Sequence, residues 1–137
     1  MVAEKPQTRP LGGAVIALCA REPEELAPVE ALLKEMGSEV HAAESVDELD
    51  ELLEQENVDV VLLHVCPSRQ EFLDVLDRTM VPPMVPLLCH TDRHLYMETL
   101  RRGAFDCVPL PIHKDELERV LKLALARRRQ QQRASAA

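Results

Sequence analysis

The sequence predicts one α/β domain, a doubly wound parallel sheet of five strands with helices on both faces. Three observations carry this expectation. The stretch "VDVVLLHV" (58–65) is an almost unbroken apolar run rich in β-branched residues, as in a strand buried on both faces of a covered parallel sheet. Four further short apolar runs flank it, and the segments between them carry apolar residues at helical spacing. Strand and helix signals alternate along the chain, which is the order of successive βα units. At 137 residues the chain makes one domain, able to bury roughly two-thirds of its unfolded surface.

The elements follow in order. "GGAVIALCA" (12–20) gives the first strand. Pro23 suits a first helical turn, and Leu26, Val29, Leu32, Leu33 and Met36 share one helix face that Gly37 closes. "SEVHAA" (38–43) alternates as an edge strand does. Ser45 and Glu48 form a capping-box pattern before Leu49, Leu52 and Leu53. After the third strand, Ser68 and Glu71 repeat that pattern, and Phe72, Val75 and Leu76 mark a third helix. "MVPLLCH" (84–90) is the fourth strand, with Pro86 tolerated near its start. Thr91 or Asp92 caps a fourth helix that runs to Arg102 and stops at Gly103. "AFDCVPL" (104–110) is a short fifth strand. Leu117, Val120, Leu121, Ala124 and Leu125 space the last helix. The expected organisation is a disordered leader at 1–12, a folded domain at 13–126, and a polar, basic tail or linker at 127–137.

Composition removes several classes of function. A net charge of -8 and an aromatic content of 2% leave neither a basic surface for phosphates nor stacking platforms for bases, so direct nucleic-acid binding is not expected. No apolar run reaches membrane-spanning length and no secretory signal opens the chain, which predicts a cytoplasmic protein with no membrane partner. The cysteines at 19, 66, 89 and 107 form no CxxC pair, and the default expectation is four reduced thiols, packed as small hydrophobes. The loop after strand one, "AREP" (20–23), has a proline and no glycine, so it cannot cradle a dinucleotide or flavin phosphate with backbone N–H groups. No nucleophile elbow or Ser/His/Asp set stands at motif spacing. Neither an enzyme nor a cofactor is expected.

"PLLCHT" (86–91), "GAFDCVPLP" (103–111), "DVVLLHV" (59–65) and "EALLKEMGSEVHAAESVDEL" (30–49) together resemble bacterial response-regulator receiver domains, in the right order and over about 13–125. The resemblance implies a flavodoxin-like sheet with strand order 2-1-3-4-5. It also implies a site at the strand ends where an aspartate accepts a phosphoryl group from a histidine kinase in a phosphorelay, beside Mg²⁺ held by an acidic pair. Carried over residue by residue, the phosphoacceptor position is His64, and the acidic pair falls on Ala20 and Arg21, with Glu22 next to them. The hydroxyl position is Thr91, the lysine position Leu110, and the following proline Pro111. Acceptor, metal ligands and lysine are all replaced. The resemblance is thus to a degenerate member, a pseudo-receiver working as a phosphorylation-independent interaction module in two-component signal transduction or transcription regulation. It further implies that a protein partner or a second copy docks on the face of helix four, strand five and helix five, through Arg101, Arg102, Asp106, Asp115, Glu116 and Arg119.

His64 keeps three readings on sequence alone. It can be a polar cap on a strand end. It can be a soft-metal ligand or part of a redox site with Cys66, with His90 or His94 as further candidates. It can also be a pH-sensitive or partner-contacting imidazole.

Overall fold

The computed structural model describes residues 10–65, 72, 74–77, 82–89 and 93–136. In chain order these form β1 (Val15–Cys19), a 3-10 helix (Pro23–Leu26) leading into α1 (Ala27–Glu35), β2 (Glu39–Ala43), α2 (Val46–Gln55) and β3 (Val60–Val65). A second 3-10 helix (Asp74–Asp77), β4 (Met84–Leu88), α3 (Arg93–Arg101), β5 (Val108–Pro109) and α4 (Lys114–Ala136) follow. All strand pairings are parallel and the order is β2-β1-β3-β4-β5, the expected five-stranded topology.

β3 is the axis of the fold, and every one of its residues is buried. Its two-residue side-chain period sends Val60 and Leu62 into one layer with Leu33 of α1 and Leu117, Val120, Leu121 and Ala124 of α4. Val61, Leu63 and Val65 enter the other layer with Leu49 of α2, Phe72, Val75, Leu76 and Leu95 of α3. Local signals hold the connections. The Ser45 hydroxyl accepts from the Glu48 N–H (3.1 Å), and the Glu48 carboxylate accepts from the Glu44 N–H (3.0 Å), which satisfies donors that the start of α2 leaves unpaired. Gly37 and Gly103 close α1 and α3 at φ 95° and 101°, a backbone region that side chains with a Cβ avoid.

Four expectations need correction. Phe72, Val75 and Leu76 do enter the core, but the described part of the third helical segment is the 3-10 helix Asp74–Asp77; its predicted capping pair, Ser68 and Glu71, lies outside the described residues. β5 is only two residues long. Met84 O accepts from Phe105 N–H and Leu88 O from Leu110 N–H, so the residues of β4 that face β5 are the even-numbered ones. Pro86 is among them and has no N–H to give, which limits the ladder at this edge. Leu11 is buried in the core, its N–H bonded to Met36 O (3.0 Å), so the ordered domain starts inside the predicted leader. Finally, the last helix does not fray at 126 but runs to Ala136. Arg and Gln are good helix formers, and two arginines tie this extension back. Arg127 lies over the Phe105 ring at 5.4 Å, and Arg128 donates to Asn57 Oδ1 at 3.2 Å.

Candidate functional site

The carboxyl edge of the sheet brings together most of the positions singled out above. Cys19 pairs with Leu63 in register, so Ala20 and His64 are the next neighbours on β1 and β3. Ala20 is buried, with its N–H bonded to Ala43 O (3.0 Å), while Arg21 and Glu22 are exposed on the loop that follows. His64 is only 5% exposed. Leu110 stands one residue past β5, held by Leu88 O at 2.8 Å, and packs on the core; the peptide bond to Pro111 is cis. An alanine, a histidine and a leucine thus end β1, β3 and β5. Thr91, Cys66 and His90 lie outside the described residues. His94 is exposed on α3 beside Arg93, Met97 and Arg101.

The strand ends hold one charged group that the sequence reading missed. Glu25 Oε2 approaches His64 Nδ1 at 4.0 Å, a contact that becomes an ion pair when the imidazole is protonated. Glu25 lies in the 3-10 turn that Pro23 starts, with its N–H bonded back to Glu22 O (3.0 Å). Among the described residues, Glu25 is the carboxylate placed against His64.

The metal reading joins His64 with Cys66 and His90, and the last two lie outside the described residues. Among the described residues, the trio with metal-ligand geometry is Glu39, His41 and Glu56. It lies on the exposed edge at β2, where His41 Nε2 is 2.6 Å from Glu39 Oε2 and 3.3 Å from Glu56 Oε1. The cysteines split into two kinds. Cys19 and Cys107 are free and buried, as expected. Cys89 is disulfide-bonded, which corrects the expectation of four reduced thiols.

The docking residues divide in the same way. Arg101, on α3, and Asp115 and Arg119, on α4, are exposed, and Glu116 is half-buried. α3 presents Arg93, Met97 and Arg101 in a row at four-residue spacing, and α4 presents Asp115, Arg119 and Leu123 in another. Tyr96 (39%), Met97 (43%) and Leu123 (51%) are the large exposed apolar side chains. Arg102 and Asp106 are already engaged within the chain. The Asp106 carboxylate precedes β5 and accepts the Cys107 N–H at 2.7 Å. The Arg102 guanidinium donates to Asp74 and Asp77, both at 3.0 Å, and to Glu98 at 3.4 Å. Its pKa is raised, first by the hydrogen bond to Asp74. Arg102 therefore ties the end of α3 to the 3-10 helix Asp74–Asp77. Arg102→Ala should give a small drop in melting temperature that vanishes in high salt, because exposed ion pairs are weak and screened. Equal drops at low and high salt would mean that the arginine acts by packing instead.

Comparison with protein-family models finds no match, and neither does comparison with curated proteins. The fold is that of receiver domains. A receiver domain from Clostridium thermocellum superposes with a TM-score of 0.73 at 24% identity, over 85% of this chain and 97% of that one. A response regulator from Thermotoga maritima gives 0.72 at 20% identity, over 83% and 98%. NtrX from Brucella abortus, solved with ADP, gives 0.78 at 24% identity over 90% of this chain, which spans 29% of NtrX.

Proposed function

We propose that this chain is a pseudo-receiver, a protein-interaction module of a bacterial signalling or transcription-regulating system that acts without being phosphorylated. It catalyses no reaction, needs no cofactor and works in the cytoplasm. The observation that carries the reading is buried His64 at the end of β3, with Ala20, Arg21 and Leu110 at the surrounding positions. Phosphoryl transfer to a carboxylate needs an acceptor oxygen, a cation bound by hard oxygen ligands and donors for the phosphoryl oxygens. Here the acceptor, cation-ligand and lysine positions hold imidazole, cationic or aliphatic side chains. The receiver domains among the structural neighbours support the signalling context.

The partner is a protein, another kind of chain or a second copy, docking on the α3–β5–α4 face. Exposed Met97 and Leu123 supply apolar anchors, and Arg101, Asp115 and Arg119 supply charges of both signs for register and partner choice. Acetyl phosphate with Mg²⁺ should leave the intact mass unchanged. In sedimentation and pull-down, Arg101→Glu combined with Leu123→Asp should lose self-association or partner capture, while His64→Ala keeps it. Hydroxylamine-labile phosphate, or binding lost only in His64→Ala, would move the function back to the strand ends.

One observation favours a second reading, a redox sensor at those strand ends: the disulfide at Cys89.

A further inference from the structure

Glu39 and His41 stand two residues apart on β2, and Glu56 directly follows the last residue of α2 as its C-terminal cap. The parallel register aligns Glu39 with Val15 and His41 with Ala17, on the sheet face that α2 covers through Leu49, Leu52 and Leu53. The end of α2 thereby meets the edge strand. His41 Nε2 lies 2.6 Å from Glu39 Oε2 and 3.3 Å from Glu56 Oε1, and one donor atom from each residue falls within 4.8 Å of the others. The trio belongs to the amino-terminal half of β2. The other end of that strand, Ala43, is the one bonded to Ala20 at the carboxyl edge of the sheet.

Within the trio the charges do not balance. Nε2 carries at most one proton and faces two carboxylate oxygens. Even with His41 protonated, two carboxylates against one imidazolium leave a negative charge in excess. α2 adds to that excess. Every charged residue of α2 is acidic, its last turn has no basic side chain, and its terminal carbonyls are the negative end of the helix dipole.

We propose that Glu39, His41 and Glu56 bind a divalent transition-metal ion of the zinc class, through one imidazole nitrogen and two carboxylate oxygens, with water completing the shell. Two carboxylates and a neutral imidazole cancel the charge of such an ion. The donor set also selects it. Mg²⁺ and Ca²⁺ take all-oxygen shells, and copper(I) prefers thiolate or thioether. Bonds of about 2.0–2.2 Å in a tetrahedron place ligand atoms about 3.3 Å apart, which the His41–Glu56 pair already matches at 3.3 Å. The His41–Glu39 contact, at 2.6 Å, has to open by about 0.7 Å. Glu39 is free to make that move, since its side chain is 58% exposed. The ion takes the place of the proton between the two groups. Its effect is to clip the edge strand β2 to the end of α2. The site goes beyond the interaction-module reading and does not rest on it. The fold closes without the ion, because β2 is paired to β1 and α2 is seated by Leu49, so the ion is a reversible ligand and not a resident cofactor.

The experiment titrates the intact chain calorimetrically with Zn²⁺, and with Co²⁺ as a spectroscopic probe. One ion per chain should bind, and the cobalt spectrum should show nitrogen and oxygen ligands without a thiolate charge-transfer band. At about a hundredfold excess over Kd the melting temperature should rise by roughly 10 °C, and Mg²⁺ should do neither. His41→Ala should abolish binding. Glu39→Gln and Glu56→Gln should each weaken it about tenfold or more, at least what removal of an outer-shell partner costs. His64→Ala and His94→Ala should keep it. All three trio variants should melt like wild type in the absence of metal; if His41→Ala does not fold, the two glutamine variants carry the test. Binding kept in His41→Ala, a thiolate band, or binding lost in His64→Ala would place the ion elsewhere and overturn the proposal. Mg²⁺ binding as tightly as Zn²⁺ would reduce the trio to an acidic patch and overturn it as well. No binding at millimolar Zn²⁺ would leave His41 an ion-pair partner of two glutamates, and the proposal would fall. The interaction-module reading stands or falls separately, on the pull-down.

Discussion

His64→Asp should destabilise the domain by about 2–4 kcal/mol at neutral pH, the order expected when a charge is buried beside a like charge. The substitution restores the residue type on which phosphoryl acceptance depends, yet it puts a carboxylate where wild type is 5% exposed and where Glu25 Oε2 stands 4.0 Å from the imidazole. A histidine beside that glutamate gains from it when protonated. An aspartate is repelled by it, and burial adds to the penalty, so both effects raise the new carboxyl's pKa in the folded state. A raised carboxyl pKa means the folded form holds its proton at a pH where the unfolded chain has released it. The stability loss should therefore be largest near neutrality and fade below about pH 4, where the carboxyl is protonated in both states. Millimolar Mg²⁺ should not rescue the variant, because Ala20 and Arg21 offer no hard oxygen side chains to share the ion. Urea unfolding at several pH values, with and without Mg²⁺, checks all of this. A Mg²⁺-dependent rise in melting temperature, in wild type or variant, would mean that the glutamates of the β1–α1 connection form a cation site after all.

The residues explain why some of this was legible in the sequence and some was not. β3 could be read directly because a strand covered on both faces must be apolar at successive positions, and no other element needs Val60 to Leu63 in that form. The convergence of Ala20, His64 and Leu110 followed from the fold, since parallel strands bring their carboxyl ends to one edge whatever the side chains are. Long-range contacts were harder. Glu25 and His64 meet across almost forty residues of chain, and Arg102 was read as surface charge because its partners Asp74 and Asp77 are more than twenty residues away. The disulfide at Cys89 was hidden for a related reason. Cys89 ends an apolar run and looks like a small hydrophobe there, and nothing in that stretch signals a bonded thiol. The helical extension from 127 to 136 was misread because the apolar repeat ends at Leu125. Propensity and two arginine contacts carry the helix past the stripe that signals burial.

Alkali should unfold this domain through its two free thiols. Cys19 is 0% exposed in β1, and burial drives its thiol pKa far above the ordinary 9.0. Cys107, just before β5, is pushed up to about 11, again mainly by burial; its 2.6 Å contact with the Thr99 hydroxyl lowers the value and the nearby Asp106 charge raises it. In the unfolded chain both thiols ionise near 9.0, so above that pH the folded state holds protons that the unfolded state has lost. The stability tied to these protons is complete below pH 9 and is lost as the pH rises through the interval up to the folded pKa. Each thiol removes about 1.4 kcal/mol per pH unit, so the pair should remove roughly 5 kcal/mol by about pH 11, comparable to the whole stability of many small domains. Cys89, being disulfide-bonded, contributes nothing to this slope. Urea midpoints measured in half-unit steps from about pH 8 to pH 11 should fall steeply in wild type, about half as steeply in Cys19→Ala or Cys107→Ala, and little in the double variant. Both single variants should start from a lower plateau, because each leaves a small cavity. A slope unchanged in the double variant would mean that buried thiols have no part in the alkaline transition.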